Sequence, residues 1–209
     1  MGTKERRARE RQGTRERILD AARELFINEG YDAVTMREVA DRAEYSPTAI
    51  YVHFKDKETL LRELCSQDFN SLAEAFQKVA QIPDPIERLR HTGQAYVEFA
   101  TRHPNQYRLM FMTPRPPNFE PDSSRKGNIQ QDAYAFLVSV VRDAMEKGAF
   151  RHELTDPELL AQVLWSAVHG LIALHLIGVK DKWVDWRPID VAAPAVLDAL
   201  YRGVLRQER

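Results

Sequence analysis

The chain of 209 residues has one cysteine, Cys65. No intrachain disulfide can form, and with no signal sequence at the N-terminus the expected compartment is the cytoplasm. Net charge is nearly absent too, at −1. No global field draws the protein to nucleic acid or to a membrane, so any electrostatic footprint has to be local. No apolar run is long and uninterrupted. The most apolar stretch, LLAQVLWSAVHGLIALHLIGV, is broken by Gln162, His169 and His175 and preceded by Glu158. It reads as a buried or interface helix, and no membrane partner is expected. Hairpin dipeptides flanked by alternating β-branched residues are missing, and no internal repeat is visible. Catalytic and metal-binding signatures are missing as well. There is no HExxH, no paired cysteine and no Ser-His-Asp arrangement, and His169 and His175 stand about 240° apart on a helix. No catalytic residue, metal or cofactor is therefore assigned.

What is present is a 44% hydrophobic, 29% charged composition that can bury a core, with helical periodicity throughout. The expected class is all-α. A first helix spans about 14–28, with Ile18, Leu19, Ala22, Leu25 and Phe26 on one stripe and Gly30 closing it. Thr35 caps a second helix, with Glu38 at capping-box spacing. Ser46 caps a third, whose first residue is Pro47, and Asp56 caps a long fourth reaching about residue 80. Asp84-Pro85 opens the next, and PNQYRLMFM is a short helix. A loop with four of the 11 prolines follows and is expected to be mobile. Further helices are expected over 128–147, 156–178 and 190–206, with Asn128, Asp156 and Asp190 near their starts.

Three short helices, the second and third separated by a few residues, make a helix-turn-helix unit. On a wheel of the third helix, Ile50 and Phe54 fall together as core anchors, and Thr48 and Val52 lie opposite. A face of methyls and hydroxyls suits the floor of a DNA major groove, although a single exposed valine is ordinary. Tyr51 and His53 flank that face with polar tips suited to phosphates, and Lys57 stands in the first turn of the fourth helix beside free N–H groups. Thr35 and Arg37 open the second helix and can hold a phosphate on the other wall; Arg37 can also reach a base. Residues 1–17 add Lys4, Arg6, Arg7, Arg9, Arg11, Arg15 and Arg17 against Glu5, Glu10 and Glu16. A basic arm of this kind follows the DNA backbone or minor groove; otherwise it is a solvated, frayed terminus.

The stretch RILDAARELFINEGYDAVTMREVADRAEYSPTAIYVHFKDKETLL resembles the tetracycline-repressor (TetR) family of bacterial transcription regulators nearly end to end. The resemblance implies an all-α homodimer, with a helix-turn-helix DNA-binding domain over 1–60 and a ligand-binding and dimerisation domain over 61–209. It places DNA contacts at Thr35, Arg37, Pro47, Thr48, Ala49, Tyr51, His53 and Lys57. The chain departs from the family pattern in two places. Glu44 and Tyr45 stand where glycine and a small aliphatic are usual, and Thr48 occupies a frequent glycine position, which changes the bases read.

The segments HPNQYRLMF and WSAVHGLIALHL resemble a subclass marked by Trp165, His169 and Gly170. For the implied ligand, Tyr96, Phe99, Tyr107, Met110, Phe111, Tyr134, Phe136 and Trp165 are candidates to line an apolar cavity, with His169 as a polar contact. Taken singly, each reads as a core residue. Gly170, Gly178, Ala192, Ala193, Ala195 and Ala199 allow the last two helices to pair closely, as they do with their mates in the family's four-helix interface. The expected function is a ligand-responsive repressor of a palindromic double-stranded operator. An apolar or amphipathic effector would tilt the fourth helix and spread the two recognition helices from their half-sites. A coupling of about 1–3 kcal/mol corresponds to roughly 5–150-fold derepression. The alternatives are an activator of the same fold, or a small-molecule-binding protein or enzyme that keeps the helices as scaffold.

Overall fold

The computed structural model describes residues 3–178 and 183–206, and helices account for nearly all their regular structure. They are α1 (Thr3–Glu29), α2 (Met36–Arg42), α3 (Pro47–His53), α4 (Lys57–Gln77), α5 (Pro85–Arg102), α6 (Pro104–Phe111), α7 (Ala133–Glu146), α8 (Pro157–Gly178) and α9 (Ile189–Val204). The all-α expectation holds.

Local chemistry sets most of the boundaries. At α2 both arms of the capping box form: the Glu38 N–H donates to Thr35 Oγ1 (3.2 Å), and the Thr35 N–H donates to Glu38 Oε2 (2.7 Å). Ser46 Oγ accepts from the Ala49 N–H at the start of α3, with Pro47 at the first helical position. Asp56 caps α4 through the Thr59 N–H (2.7 Å), and Asp84 caps α5 through the Ile86 and Glu87 N–H groups.

Three boundaries differ from expectation. α1 begins at Thr3 and not near residue 14, because Lys, Arg, Glu and Ala are good helix formers and side-chain pairs one turn apart support the arm. Among them are Arg6–Glu10 at 3.5 Å and Gln12–Glu16 at 2.9 Å. The cap of α7 is Asp132, while Asn128 turns the chain before it by accepting from the Gln130 N–H. Asp190 lies inside the first turn of α9, whose cap position is Pro188. The proline-rich loop is also tied down. Arg115 donates to the Met110 carbonyl (2.8 Å) and lies over the Phe119 ring, Phe119 packs on the core, and Arg62 donates to the Glu120 carbonyl.

The chain forms two compact units, Met1–Asp68 with Asn105–Ser123, and Phe69–Pro104 with Ser124–Arg209. In the first, α1 packs on α2 and α2 on α3 around Ile18, Ala22, Phe26, Val39, Ile50, Phe54, Leu60 and Leu64. In the second, α5 packs on α7, α8 and α9, with α7 against α8 and α8 against α9. Close approach there falls at Gly93, where an added Cβ would lie 2.7 Å from a Leu197 methyl on α9. Space around Gly170 is open.

The turn joining α2 to α3 is set by Glu44, whose φ is +60°. The Tyr45 N–H donates to the Ala40 carbonyl and the Glu44 N–H to the Asp41 carbonyl, the paired bonds of a Schellman closure. A left-handed residue with a Cβ costs about 1 kcal/mol relative to glycine. Glu44 is exposed, so its side chain has little packing to lose. Glu44→Gly is therefore expected to stabilise the chain by about 1 kcal/mol, read as a rise of roughly 2–4 °C in Tm. An unchanged or lower Tm would show that the glutamate compensates for its backbone.

Candidate nucleic-acid interface

α3 is held from one side and bare on the other. Ile50 and Phe54 are fully buried, whereas Tyr51 and Val52 are 56% and 66% exposed, and Pro47 and Thr48 are exposed beside them. Ala49 and His53 are half-buried at the edges. Two turns of helix thus present a hydroxyl, a phenol and apolar groups outward, a combination that fits thymine methyls and base-edge acceptors.

Thr35 and Arg37 are both exposed at the start of α2. The Thr35 hydroxyl donates to Glu38 Oε2 (2.8 Å), and the bonds from Thr35, its backbone N–H first, hold the Glu38 carboxyl below its ordinary value. Lys57 is the first residue of α4. Its Nζ donates to the carbonyls of Tyr31 (2.6 Å) and Val34 (2.7 Å) and lies 4.2 Å from the centre of the Tyr31 ring. The ammonium stitches the turn between α1 and α2, which fixes the entry to α2. His53 has its pKa pushed down, mainly by burial and then by the fields of Arg11 and Arg15. It acts as a neutral imidazole at neutral pH, a hydrogen-bonding group and not a cation.

Arg15 is the residue that sequence reasoning underused. Its Nη1 donates to the His53 carbonyl (3.0 Å), its guanidinium lies 4.3 Å from the centre of the Phe54 ring, and it pairs with Glu63 at 3.0 Å. It clamps the C-terminal end of α3 to α1. The signal was available, since Arg15 shares the helical stripe of Ile18 and Ala22.

The comparisons match this geometry. A family model described as "Bacterial regulatory proteins, tetR family" matches residues 18–64, which span the buried face of α1 and the whole helix-turn-helix. A second, "Tetracyclin repressor-like, C-terminal domain", matches residues 89–200. The chain belongs to the TetR family. It is a helix-turn-helix transcription regulator. The HTH-type transcriptional activator FasR of Mycolicibacterium smegmatis is 27% identical over 177 residues, 84% of this chain and 75% of that one. The HTH-type transcriptional repressor BepR of Brucella suis is 28% identical, covering 80% of this chain and 82% of its own. In fold, this TetR-family chain resembles the crystal structure of the regulator PfmR from Thermus thermophilus, with a TM-score of 0.70 and 24% identity over 92% of this chain and 99% of that one.

Six of the nine residues expected to line a ligand cavity lie in the second unit of this TetR-family chain: Tyr96, Phe99, Tyr134, Phe136, Trp165 and His169. They are linked. Trp165 Nε1 donates to Tyr96 Oη (2.9 Å), which lies 3.2 Å from His169 Nδ1. Tyr134 donates to Glu158 and its ring stands 6.0 Å from that of Trp165. Phe76 of α4, which the sequence reading did not include, sits 5.7 Å from Phe136 and 6.5 Å from Tyr96, ring centre to ring centre. The other three, Tyr107, Met110 and Phe111, belong to the first unit; Tyr107 and Met110 are buried, and the Tyr107 and Phe111 rings lie 5.0 Å apart.

Proposed function

We propose that this regulator binds a two-fold-symmetric DNA operator as a homodimer and is released by an apolar or amphipathic small molecule held in the second unit. The observation that carries the DNA half is the bare face of α3, where Thr48, Tyr51 and Val52 stand exposed on a helix anchored by Ile50 and Phe54. Thr48, Ala49 and Val52 read bases, while Pro47, Tyr51, His53, Thr35 and Arg37 bracket the groove walls. Lys57 contributes by holding the α1–α2 turn.

For the effector half, support comes from the linked Tyr96, Trp165 and His169. Burial lowers the His169 pKa, so the imidazole is neutral at neutral pH and, with the Tyr96 hydroxyl, suits a ligand with a hydroxyl or carbonyl on an apolar body. α4 carries Lys57–Asp68 in the first unit and Phe69–Gln77 in the second, which makes it one covalent route for the signal. TetR-family relatives carry both signs, FasR being named an activator and BepR a repressor. Repression is the reading retained.

Tyr51→Ala tests the DNA assignment. Tyr51 is more than half exposed, so the variant is expected to keep its Tm while its affinity for duplex selected by the wild-type chain falls about tenfold or more. Equal affinity in a gel-shift titration would sink the assignment of α3.

A further inference from the structure

α1 runs well past the body it belongs to. Within the first unit its inward side is Ile18, Ala22 and Phe26, each with no exposed surface. At about 100° per residue, the same stripe continues toward the N-terminus through Arg15, Arg11, Arg7 and Lys4. Glu5, Glu10 and Glu16 fall on the flanks and not on the stripe. The side of the helix that is apolar where protein covers it carries basic and no acidic side chains where protein ends. Lys4, Arg7 and Arg11 are exposed, and among the described residues neither Arg7 nor Arg11 has an ion-pair partner.

The stripe also has a fixed bearing. Arg15 ties it to the C-terminal end of α3 through the His53 carbonyl and the Phe54 ring, and the field of Arg11 reaches His53. The helical arm therefore leaves the first unit beside the helix that reads DNA. From Lys4 to Arg11 the helix rises by about 10 Å at 1.5 Å per residue, while duplex DNA carries a charge about every 1.7 Å of its axis. A row of three cations over that length matches a run of phosphates.

We propose that residues 4–15 form a helical phosphate clamp, in which Lys4, Arg7 and Arg11 bind the duplex backbone flanking the α3 footprint. The clamp rests on α3 being the reading helix, and it adds an affinity that is independent of base sequence. A point charge suffices for such an interaction, so lysine can replace arginine there.

The test uses the full chain, a duplex that the wild-type protein selects from a randomised pool, and an unrelated duplex of equal length. Arg7→Gln with Arg11→Gln, exposed changes between good helix formers, is expected to leave Tm unchanged. Affinity for both duplexes should fall by the same factor, and the slope of log affinity against log salt should become shallower by about 1 for each phosphate that is no longer neutralised. Ethylation interference should disappear at the outermost phosphates and persist around the α3 footprint. Arg7→Lys with Arg11→Lys should restore the slope. Binding that Tyr51→Ala weakens but the Gln pair leaves unchanged in slope and ethylation pattern would overturn the clamp alone. So would a weakening confined to the selected duplex, or a Gln-pair defect seen only on phosphatidylserine vesicles. A wild-type chain that selects no duplex would bring down both the clamp and the α3 reading.

Discussion

Asp68→Ala is expected to destabilise the chain by about 3–5 kcal/mol. Asp68 has no exposed side-chain surface, and it joins three helices of the first unit. It pairs with Arg23 of α1, itself 13% exposed, and accepts from Gln106 Nε2 of α6 at 2.9 Å. Removing the carboxylate strands a nearly buried guanidinium and an amide, and the penalty is the desolvation of groups left without a partner. At roughly 2–4 °C per kcal/mol, Tm should drop by about 10 °C, measured by thermal denaturation. Asp68→Asn separates the contributions. Burial pushes the Asp68 carboxyl up, with the Arg23 charge opposing it. Because the folded pKa lies above the unfolded one, this group favours folding most at pH below its unfolded value, and that contribution declines as pH rises through the folded value. Asparagine keeps the shape and one of the two acceptors, so it should cost less than alanine, and it should lack this pH dependence. Alanine and asparagine variants of equal Tm would show that the carboxylate's partners are not what stabilises the site.

Legibility in the sequence follows the range of the forces. The Thr35–Glu38 box, Ser46-Pro47, Asp56 and Asp84-Pro85 were readable because a cap is decided within four residues. The bare face of α3 was readable because Ile50 and Phe54 announce which side is buried. The extent of α1 was not, since its first turns are charged on several sides and periodicity is silent there. The cap of α7 is Asp132 and not Asn128, four residues before it, a choice that local pattern does not decide. Long-range partners were out of reach. Lys57 meets carbonyls more than 20 residues away, Asp68 meets Arg23 and Gln106, and Gly93 admits Leu197. In each case the decisive partner lies on another part of the chain, and no spacing rule names it.

Leu174→Glu on α8 is expected to leave the chain folded and monomeric. α8 is apolar on two sides, and by length and composition it could cross a bilayer. One side is buried within the second unit by Leu160, Ala161, Leu164, Val168 and Ile172. The opposite side forms a single stripe, Leu159, Val163, Ser166, Gly170, Leu174 and Ile177, whose four large residues are 46–63% exposed. A helix apolar all round needs cover on both faces, and an exposed apolar stripe of this length marks an interface. The same stripe on a second copy is self-complementary about a two-fold axis, and Gly170 at its middle has open space for a partner backbone. Burying one leucine is worth about 1.5–3 kcal/mol. A two-fold axis counts each change twice, so the dimer should lose about 3–6 kcal/mol, a dissociation constant raised roughly 10²–10⁴-fold, before the cost of burying two carboxylates. Light scattering over a dilution series reads this directly, and operator affinity should fall with it because half-site recognition needs both α3 helices at once. Gly170→Leu guards against simple misfolding. Among the described residues nothing lies within 4 Å of its Cβ position, so the monomer should accept the side chain while the pair is wedged apart. If both variants remain dimeric at the same dilution as the wild type, α8 is not the pairing surface.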